Sequence, residues 1–417
     1  MYRIFIPGDI LLPVNVNMSL WSVIACDQFT SQPEYWDELS ERVGEAPSTL
    51  RLMLPEAYLD SCDEEIETKK INAAMENYLN DGVFQTLESS FIYLERDMTV
   101  GEKRRGILGL LDLEAYDYTP QAKTPVRCTE GTVENRLPPR VKVRKDAAIE
   151  MPHVIVLTDD PDWLMFEGLE KGEMVYDFEL NDGGGRIIGK RIAGELAEGI
   201  EQALQNLSTP EHLEKKYGLT DCEPVIIAMG DGNHSIATAK LCWERMKPQL
   251  TPEERANHPA RYGLVELVNI HDPSIKFEPI HRVLFETDAA TFLKAAATFF
   301  ASAYEGGKGC HEISILCSDA SKKLSIKGKT IGQAIALAQS FCENYVSQHG
   351  GHLDYIHDDD TAMEMSAAEG CCGILFPAIE KDELFTSIIR SGAFPAKSFS
   401  IGPARDKRYY LECRKIK

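Results

Sequence analysis

One short stretch of the chain collects residue types that can do chemistry at the point where an apolar strand meets a helix. It reads VIIAMGDGNHSIATAKLCWERMK and spans residues 225–247. Gly230 and Gly232 allow a tight turn and a close approach of the backbone to a ligand. The N–H groups that open the helix form a natural anion site. Asp231 can bind a metal or accept a proton, and His234 can act as an acid or a base. The alternative is an ordinary turn in which the Asp or the Asn caps the helix.

Three other polar stretches could each be a ligand site or have a purely structural role. NDGGGRIIGK, residues 181–190, is either a hairpin turn or a phosphate cradle with Arg186 or Lys190, and the turn is favoured because the last glycine of the dinucleotide pattern is absent. EPIHRVLF places Arg282 on a strand, where it is either structural or a ligand for an anion. HDDD, residues 357–360, precedes a helix, which favours helix capping over a metal cluster.

A basic run near the C-terminus is a further candidate for anion binding. The basic residues of the stretch PAKSFSIGPARDKRYY lie between Lys397 and Arg408. In an acidic chain, local positive charge of this kind can focus an anion. Lys397 and Ser398 would then complete the site, and the alternative is a solvated loop and strand.

The elements that must position these residues alternate between strand and helix, with hairpins mixed in. EPVIIAM is typical of a buried strand, and the residues after the GDGNHS motif have helical spacing. The Pro-rich residues 119–139 predict either a linker or a functional loop. The fold class is therefore α/β (mixed α+β), with mixed sheets and flanking helices. Three regions are predicted: an N-terminal α+β region at 1–120, a central region with the motif at 121–285, and a C-terminal α/β region at 286–417.

Charge and composition exclude several classes of protein. The chain has 417 residues and a net charge of -22, which argues against broad binding to nucleic acid or to an anionic membrane. No apolar run has the length of a bilayer span, and no secretory signal is recognisable at the N-terminus, so a cytoplasmic location is expected. The 11 cysteines include no C-x-x-C pair, which disfavours a zinc ribbon or a thioredoxin-type site.

The stretch GDGNHSIATAK resembles the signature of the DUF1015 family of bacterial and archaeal proteins, whose commoner form is A-D-G-H-H-R-Y-x-T-A. The stretches TEGTVENRLPPRVKVRKDAAIEMPHVIVLTDDP, EPIHRVLF and GAFPAKSFSIGPARDKRYYLE resemble the same family, so the resemblance covers essentially the whole chain.

The motif is also distantly similar to the phosphate-binding motif of the ParB/sulfiredoxin fold, which includes nucleotide hydrolases and small-molecule serine kinases. This similarity implies a unit of that fold around the motif, in which phosphate or its metal is bound by the following residues: Gly230, Asp231, Gly232, Asn233 and His234. Ser235 stands where the motif has an Arg, so a bidentate phosphate fork is missing there. The Arg is expected from elsewhere, with Arg127, Arg282 and Arg405 as candidates. Asn233 replaces the catalytic Cys of sulfiredoxin, which argues against sulfinic acid repair.

The function that these resemblances imply is a small-molecule phosphotransferase with Asp231 and His234 as catalytic residues. Its expected cofactors are ATP or ADP and Mg²⁺, with Asp231 as a metal ligand. The expected site for the phosphorylated ligand comprises Gly230, Gly232, Asn233, Ser235, Arg282, Lys397 and Ser398. The alternative is a nucleotide-responsive regulatory or adaptor protein without turnover, and a metal-dependent hydrolase ranks third. A homo-oligomer is compatible with the sequence.

Overall fold

The structure is a computed structural model that describes residues 3–132, 137–151, 153–218, 223–302, 310–318 and 320–417. It confirms the mixed α/β class, because one large mixed sheet and a smaller sheet are both flanked by helices. Among the described residues, no helix combines the length and the apolar character needed to cross a bilayer.

The described strands are, in chain order, β1 (Phe5–Ile6), β2 (Gly8–Pro13), β3 (Val23–Ile24), β4 (Phe84–Asp97), β5 (Lys103–Asp112), β6 (Tyr116–Asp117), β7 (Val126–Arg127), β8 (Ile149–Glu150), β9 (Ile155–Thr158), β10 (Glu173–Glu179), β11 (Arg186–Ile192), β12 (Ile227–Asp231), β13 (Tyr262–Asn269), β14 (Phe277–Pro279), β15 (His281–Phe285), β16 (Cys310–Cys317), β17 (Ala320–Lys327), β18 (His352–Ile356), β19 (Cys371–Leu375), β20 (Phe399–Ile401), β21 (Tyr409–Tyr410) and β22 (Arg414–Lys415). The described α-helices are α1 (Met18–Trp21), α2 (Pro33–Val43), α3 (Glu64–Asn80), α4 (Leu137–Arg144), α5 (Glu195–Leu207), α6 (Pro210–Tyr217), α7 (Asn233–Met246), α8 (Pro252–Asn257), α9 (Ala289–Ser302), α10 (Ile331–His349), α11 (Asp359–Ala367) and α12 (Lys381–Ser391).

The main sheet carries the GDGNHS motif in its interior. Its strand order is β10-β11-β4-β5-β13-β9-β12-β7-β6, with β1 paired to β5 and β2 paired to β4. Strand β12 runs antiparallel to β9 and parallel to β7. The first three residues of β12 are buried, as expected for an interior strand of β-branched and apolar residues. The turn at the end of β12 therefore begins at a strand that is held in place by its neighbours β9 and β7.

The glycine-rich residues 181–190 form the predicted hairpin turn rather than a phosphate cradle. Residues 180–185 join β10 to β11, residues 186–190 belong to β11, and Arg186 pairs with Asp177 of the neighbouring strand at 2.7 Å. The HDDD stretch also follows its structural interpretation, since the Asp358 side chain accepts the N–H of Thr361 and caps α11. Neither stretch supplies a metal cluster.

The smaller sheet has the order β17-β16-β19-β15-β18 and packs against the helices α9 to α12. After this unit the chain returns to the main sheet region. Tyr409 pairs with Ile24 in β3, and Arg414 pairs with Glu150 in β8. The predicted division at residues 120 and 285 stays a prediction, but the last strands pack with the N-terminal half of the chain.

A buried charge network fixes this returning segment to the main sheet. Glu266 of β13 is fully buried and pairs with Arg104 at 3.1 Å and with Arg408 at 2.9 Å. Arg408 also pairs with Glu412, whose other oxygen accepts the Tyr176 hydroxyl at 2.5 Å. A Cβ at position 106 would lie 2.6 Å from the Glu266 carboxylate, so the glycine there makes room for the network.

Glu266 stays ionised inside the protein, because its arginine partners lower its pKa by more than burial raises it. Burial raises its pKa, but the charges of Arg104 and Arg408 oppose this and leave the pKa below its ordinary value of 4.5. A carboxyl with a lowered pKa stabilises the fold above the unfolded-state pKa, and this stabilisation is lost as the pH falls through the folded-state pKa.

We expect Glu266→Gln to lower the free energy of unfolding by about 3–5 kcal/mol, because it leaves buried arginines without their counter-charge. Urea denaturation at pH 7 measures the loss, and Glu253→Gln on the exposed α8 is the matched control. The difference between the wild type and Glu266→Gln should narrow as the pH falls below about 4.5. An equal effect of the two substitutions at pH 7 would contradict the structural role of the network.

Candidate functional site

The GDGNHS motif forms a sharp turn that aims the start of α7 into a cavity. Gly232 stands at the N-cap with φ 77° and ψ 25°, in the left-handed region that favours glycine. A Cβ at this position would lie 3.0 Å from the Cα of Val154, so a side chain would also collide with the neighbouring segment. The sequence therefore needs glycine here for two independent reasons.

The structure does not support helix capping by the motif side chains. Among the described residues, no side chain caps α7, and the Asp231 carboxylate instead accepts the N–H of Gly232 at 2.8 Å. The Oδ1 atom of Asn233 is buried without a partner among the described residues. The first N–H groups of a helix have no intrahelical acceptor and carry the positive end of its dipole. In α7 the Ser235 N–H already donates to the Gly232 carbonyl at 3.0 Å, and the positive end of the helix dipole faces the cavity.

A cavity of about 340 Å³ lies over this turn and draws residues from distant parts of the chain. Its ionisable and polar lining residues are Asp27, Glu130, Arg140, His153, Asp231, Asn233, His234, Ser235, Tyr355 and Lys397. Gly131 belongs to the predicted Pro-rich loop at 119–139 and also lines the cavity, whereas residues 133–136 lie outside the described part. Part of that loop therefore belongs to the site.

A lysine from the returning C-terminal segment pairs with the motif carboxylate. The Nζ atom of Lys407 lies 3.2 Å from Oδ2 of Asp231 and donates to the carbonyl of Ile401 at 3.1 Å. Lys407 precedes Arg408 of the buried network, so that network holds the lysine in place. Burial, together with the charges of Lys397 and Lys407, lowers the pKa of His357. Both lysines are thus close enough to His357 to disfavour its protonated form.

Asp27 and His153 form an ion pair at the edge of the cavity. The Nε2 atom of His153 lies 3.5 Å from the Asp27 carboxylate, and its Nδ1 atom lies 2.8 Å from the hydroxyl of Tyr410. That hydroxyl donates to the sulfur of Cys26 at 3.1 Å. This chain of contacts fixes the orientation of the imidazole ring.

The pair favours the charged form of both groups. Burial raises the pKa of Asp27, but the charge and hydrogen bond of His153 oppose this and leave the pKa well below its ordinary value. Burial lowers the pKa of His153, and Asp27 more than reverses that effect. Asp27 is therefore an ionised carboxylate at neutral pH, directed to the cavity by a neighbour that is readily protonated.

Glu130 shapes the loop that carries Lys397. Its carboxylate accepts the N–H groups of Lys397 at 3.2 Å, Ser398 at 2.8 Å and Phe399 at 3.2 Å. Burial raises the pKa of Glu130, against the effect of these hydrogen bonds. Lys397 has φ 59°, an unfavourable value for a lysine, and its Nζ atom lies 4.5 Å from the ring centre of Tyr355. The loop thus holds one cation at the cavity wall.

The motif itself has no arginine, but Arg140 of α4 lies at the cavity over the motif. Arg140 also pairs with Glu56. The expected candidates serve other purposes, since Arg127 donates to the carbonyls of Thr124 and Glu223, and Arg405 to that of Asp182. None of these contacts involves the motif.

Arg282 and Ser398 lie behind the cavity wall rather than in it. Arg282 is fully buried and donates to the carbonyls of Ile280 at 2.6 Å and Lys397 at 2.9 Å. The Ser398 hydroxyl donates to the carbonyl of Pro395 at 2.7 Å. Both residues therefore position Lys397 and do not line the cavity, so their expected direct contact with a ligand is not supported.

The structure thus brings together most of the expected site residues. Asp231, Gly232, Asn233, His234, Ser235 and Lys397 all line the cavity, whereas Gly230 packs in β12 against Ile155 and Leu157. The sequence analysis did not name Asp27, Glu130, Arg140, His153 or Tyr355, and it covered Lys407 only as part of the basic run from Lys397 to Arg408. Glu130, Arg140, His153 and Lys407 fall within stretches that resemble the DUF1015 family, and this was the available signal.

The structure leaves the magnesium prediction untested. Among the described residues, no group of three His, Cys, Asp or Glu side chains could hold a metal ion. Two carboxylates that line the cavity, Asp27 and Asp231, are nevertheless ordinary ligands for Mg²⁺, which keeps several waters and binds through one or two carboxylates and substrate phosphates. Magnesium binding therefore stays a prediction, compatible with the lining.

Comparison with protein families gives one match. The family described as "Protein of unknown function (DUF1015)" matches residues 11–354, which is most of the chain. No curated protein sequence matches the chain.

Solved structures show weak similarity over most of the chain. A free serine kinase variant in complex with AMP has 9% identity and a TM-score of 0.37, covering 74% of this chain and 90% of its own. A conserved hypothetical protein from Pyrococcus furiosus has 10% identity and a TM-score of 0.32, covering 74% and 94%. SbnI from Staphylococcus aureus, with a C-terminal truncation, has 10% identity and a TM-score of 0.35, covering 71% and 82%. The similarity is low in each case, so the residue roles follow from the geometry of this chain alone.

We expect Asp27→Asn to lower the pKa of His153 below 6.5, because burial then acts without its main counter-charge. Histidine side-chain NMR across a pH titration measures the shift, with His153→Gln to assign the signal and Asp162→Asn as an exposed control. A raised histidine pKa stabilises the fold below the unfolded-state pKa, and the effect is lost as the pH rises through the folded-state value. An unchanged His153 titration would contradict the ion pair.

Proposed function

This chain belongs to the DUF1015 family, and we propose that it is a phosphotransferase that binds ATP or ADP with Mg²⁺ in the cavity over α7. One observation carries the proposal: a left-handed glycine turn opens a helix N-terminus into a cavity that is also lined by Arg140 and Lys397. Such a turn is a preformed phosphate cradle.

Cations at the cavity support the proposal of a phosphorylated ligand. The chain carries a net charge of -22, yet Arg140 and Lys397 line this cavity and Lys407 borders it. Guanidinium groups bind phosphate oxygens in pairs, and a lysine adds a point charge. The unpartnered Oδ1 of Asn233 is an acceptor, so it suits a hydroxyl or amino group of the ligand rather than a phosphate oxygen.

The lining also supplies the groups that phosphoryl transfer needs. Asp231 and His234 would lie at the transferring phosphate, and Asp27 would orient the acceptor hydroxyl and take its proton. In the reaction, the acceptor oxygen forms a bond to phosphorus, the bond to the nucleotide oxygen breaks, and the acceptor proton passes to Asp27. Asp27 suits this role because it is ionised at neutral pH and borders the cavity.

The magnesium ion would be held by Asp231 together with phosphate oxygens and water. When bound, it neutralises charge on the phosphoryl oxygens. The acceptor that fits this proposal is a small hydroxyl-bearing molecule, with amino acids and sugars as the first classes to test.

We expect ADP or ATP with Mg²⁺ to raise the Tm of the wild type and to lose that effect in Asp231→Ala and His234→Ala, since only a native-state ligand shifts the folding equilibrium. Thermal-shift measurements test this, with Asp162→Ala and His352→Ala as exposed matched controls. If neither nucleotide nor pyrophosphate shifts the wild type, the phosphate site is wrong.

Turnover is tested separately from binding. With ATP and a panel of amino acids and sugars, Asp27→Asn should lower kcat by about 10²-fold or more, as expected when a proton acceptor is lost, while nucleotide binding persists. Nucleotide binding by the wild type without any phosphorylated product would instead favour the regulatory alternative.

We expect Arg140→Gln to weaken ADP binding by roughly tenfold to a hundredfold, because one charge-assisted hydrogen bond contributes about 1.5–3 kcal/mol. Isothermal titration calorimetry measures this loss. Arg245→Gln, on the exposed side of α7, is the matched control and should leave the affinity unchanged. Equal affinities of wild type and Arg140→Gln would show that the missing motif arginine is not replaced by Arg140.

A further inference from the structure

A second, apolar cavity adjoins the phosphate cavity. It has about 180 Å³ of free space, more than a single water requires. It lies between the helices α3, α4 and α7, and its apolar walls include Leu52, Met53, Met75, Val143, Ile236 and Leu264. Arg140, His153 and Ser235 line both cavities, so the two are adjacent across these side chains.

The cations near the apolar cavity are already paired with carboxylates. Arg140 at its boundary pairs with Glu56, and Arg144 pairs with Glu150 at 2.6 Å. Glu150 is further neutralised by Arg414 at 3.2 Å. The arginines of this cavity are therefore already neutralised, and the rest of its lining is largely apolar, which disfavours a phosphate group here.

We propose that this apolar cavity binds the nucleobase of the nucleotide whose phosphates lie over α7. This inference rests on the proposed function and extends it, because it assigns the two ends of the ligand to two cavities of opposite character. A nucleobase presents an apolar planar face, and methionine side chains adapt well to such rings. Two methionines line the cavity: Met53, which follows a short helical turn at residues 49–52, and Met75 of α3.

The polar groups in this cavity favour a base that carries an amino group. Glu64 and Thr68 of α3 line it, and both can accept a hydrogen bond. Glu64 pairs with Lys142 through one oxygen at 2.7 Å, and a carboxylate has further acceptor capacity. An exocyclic amino group can donate to these oxygens, whereas a pure hydrocarbon would leave them without a partner.

Thr68→Phe tests the assignment by filling the cavity from α3. Thr68 is half-buried, so the larger side chain can enter the cavity without replacing a core residue. The matched control is Thr386→Phe, at a half-buried position of α12 in the smaller unit. Isothermal titration with ADP, pyrophosphate and hexyl phosphate separates the contributions of the base, the phosphates and a hydrocarbon.

The proposal predicts that ADP binds the wild type at least about tenfold more tightly than pyrophosphate, through burial of the base. Thr68→Phe should remove this advantage and leave pyrophosphate binding unchanged, and Thr386→Phe should alter neither. The Tm of each variant reports whether it folds, and Ala239→Val, a smaller addition on α7 at the same cavity, provides a second test with the same expected direction.

Three results would overturn the assignment. Equal affinities for ADP and pyrophosphate, or an ADP affinity that survives in both folded cavity variants, would show that the base lies elsewhere. Hexyl phosphate could also bind more tightly than ADP, relative to pyrophosphate. If Thr68→Phe removes that extra affinity, the cavity binds a hydrocarbon. If pyrophosphate binds normally in these cases, the phosphate site of the proposed function survives, and if no probe binds the wild type, both proposals fail.

Discussion

The buried pairing of Glu266 with Arg104 and Arg408 is the constraint on which the site depends. Glu266 lies in the middle of the main sheet, and Arg408 belongs to the segment that returns after the smaller unit. Burying these charges is costly unless each has its partner, so the segment has one favourable position on the sheet. Arg96, also fully buried, reinforces this position by donating to the carbonyls of Arg405 and Lys407.

This fixed segment links elements that are far apart in the sequence. Lys407, next to Arg408, reaches Asp231, while the pairing of Tyr409 with Ile24 brings Asp27 close to the same cavity. Tyr410 then contacts His153 and orients it towards Asp27. The cavity is therefore assembled from the two ends and the middle of the chain, and loss of the buried network should disturb all of these contacts together.

The proposed phosphate site would let an acidic chain bind an anion. The carboxylates near the cavity have structural partners. Glu130 accepts hydrogen bonds from three backbone N–H groups and thereby fixes the loop of Lys397, and Asp27 pairs with His153. The cations and the α7 N-terminus remain directed at the cavity. Local geometry thus matters more for ligand preference than the net charge, which acts over longer distances and is screened by salt.

The sequence by itself determined the local features. The GDGNHS turn, the helix after it, the hairpin at residues 181–190 and the capping of α11 follow from glycine, Asx and apolar spacing, which act between residues close in the chain. Only the tertiary structure decided which distant residues join the motif. Nothing in the spacing of Asp27, Arg140, His153 or Lys407 shows that they meet, because their positions depend on strand order and on one buried charge network. The same reason applies to Arg282. Its sequence context suits an anion site, but the folded chain buries it behind the cavity wall, where it donates to backbone carbonyls.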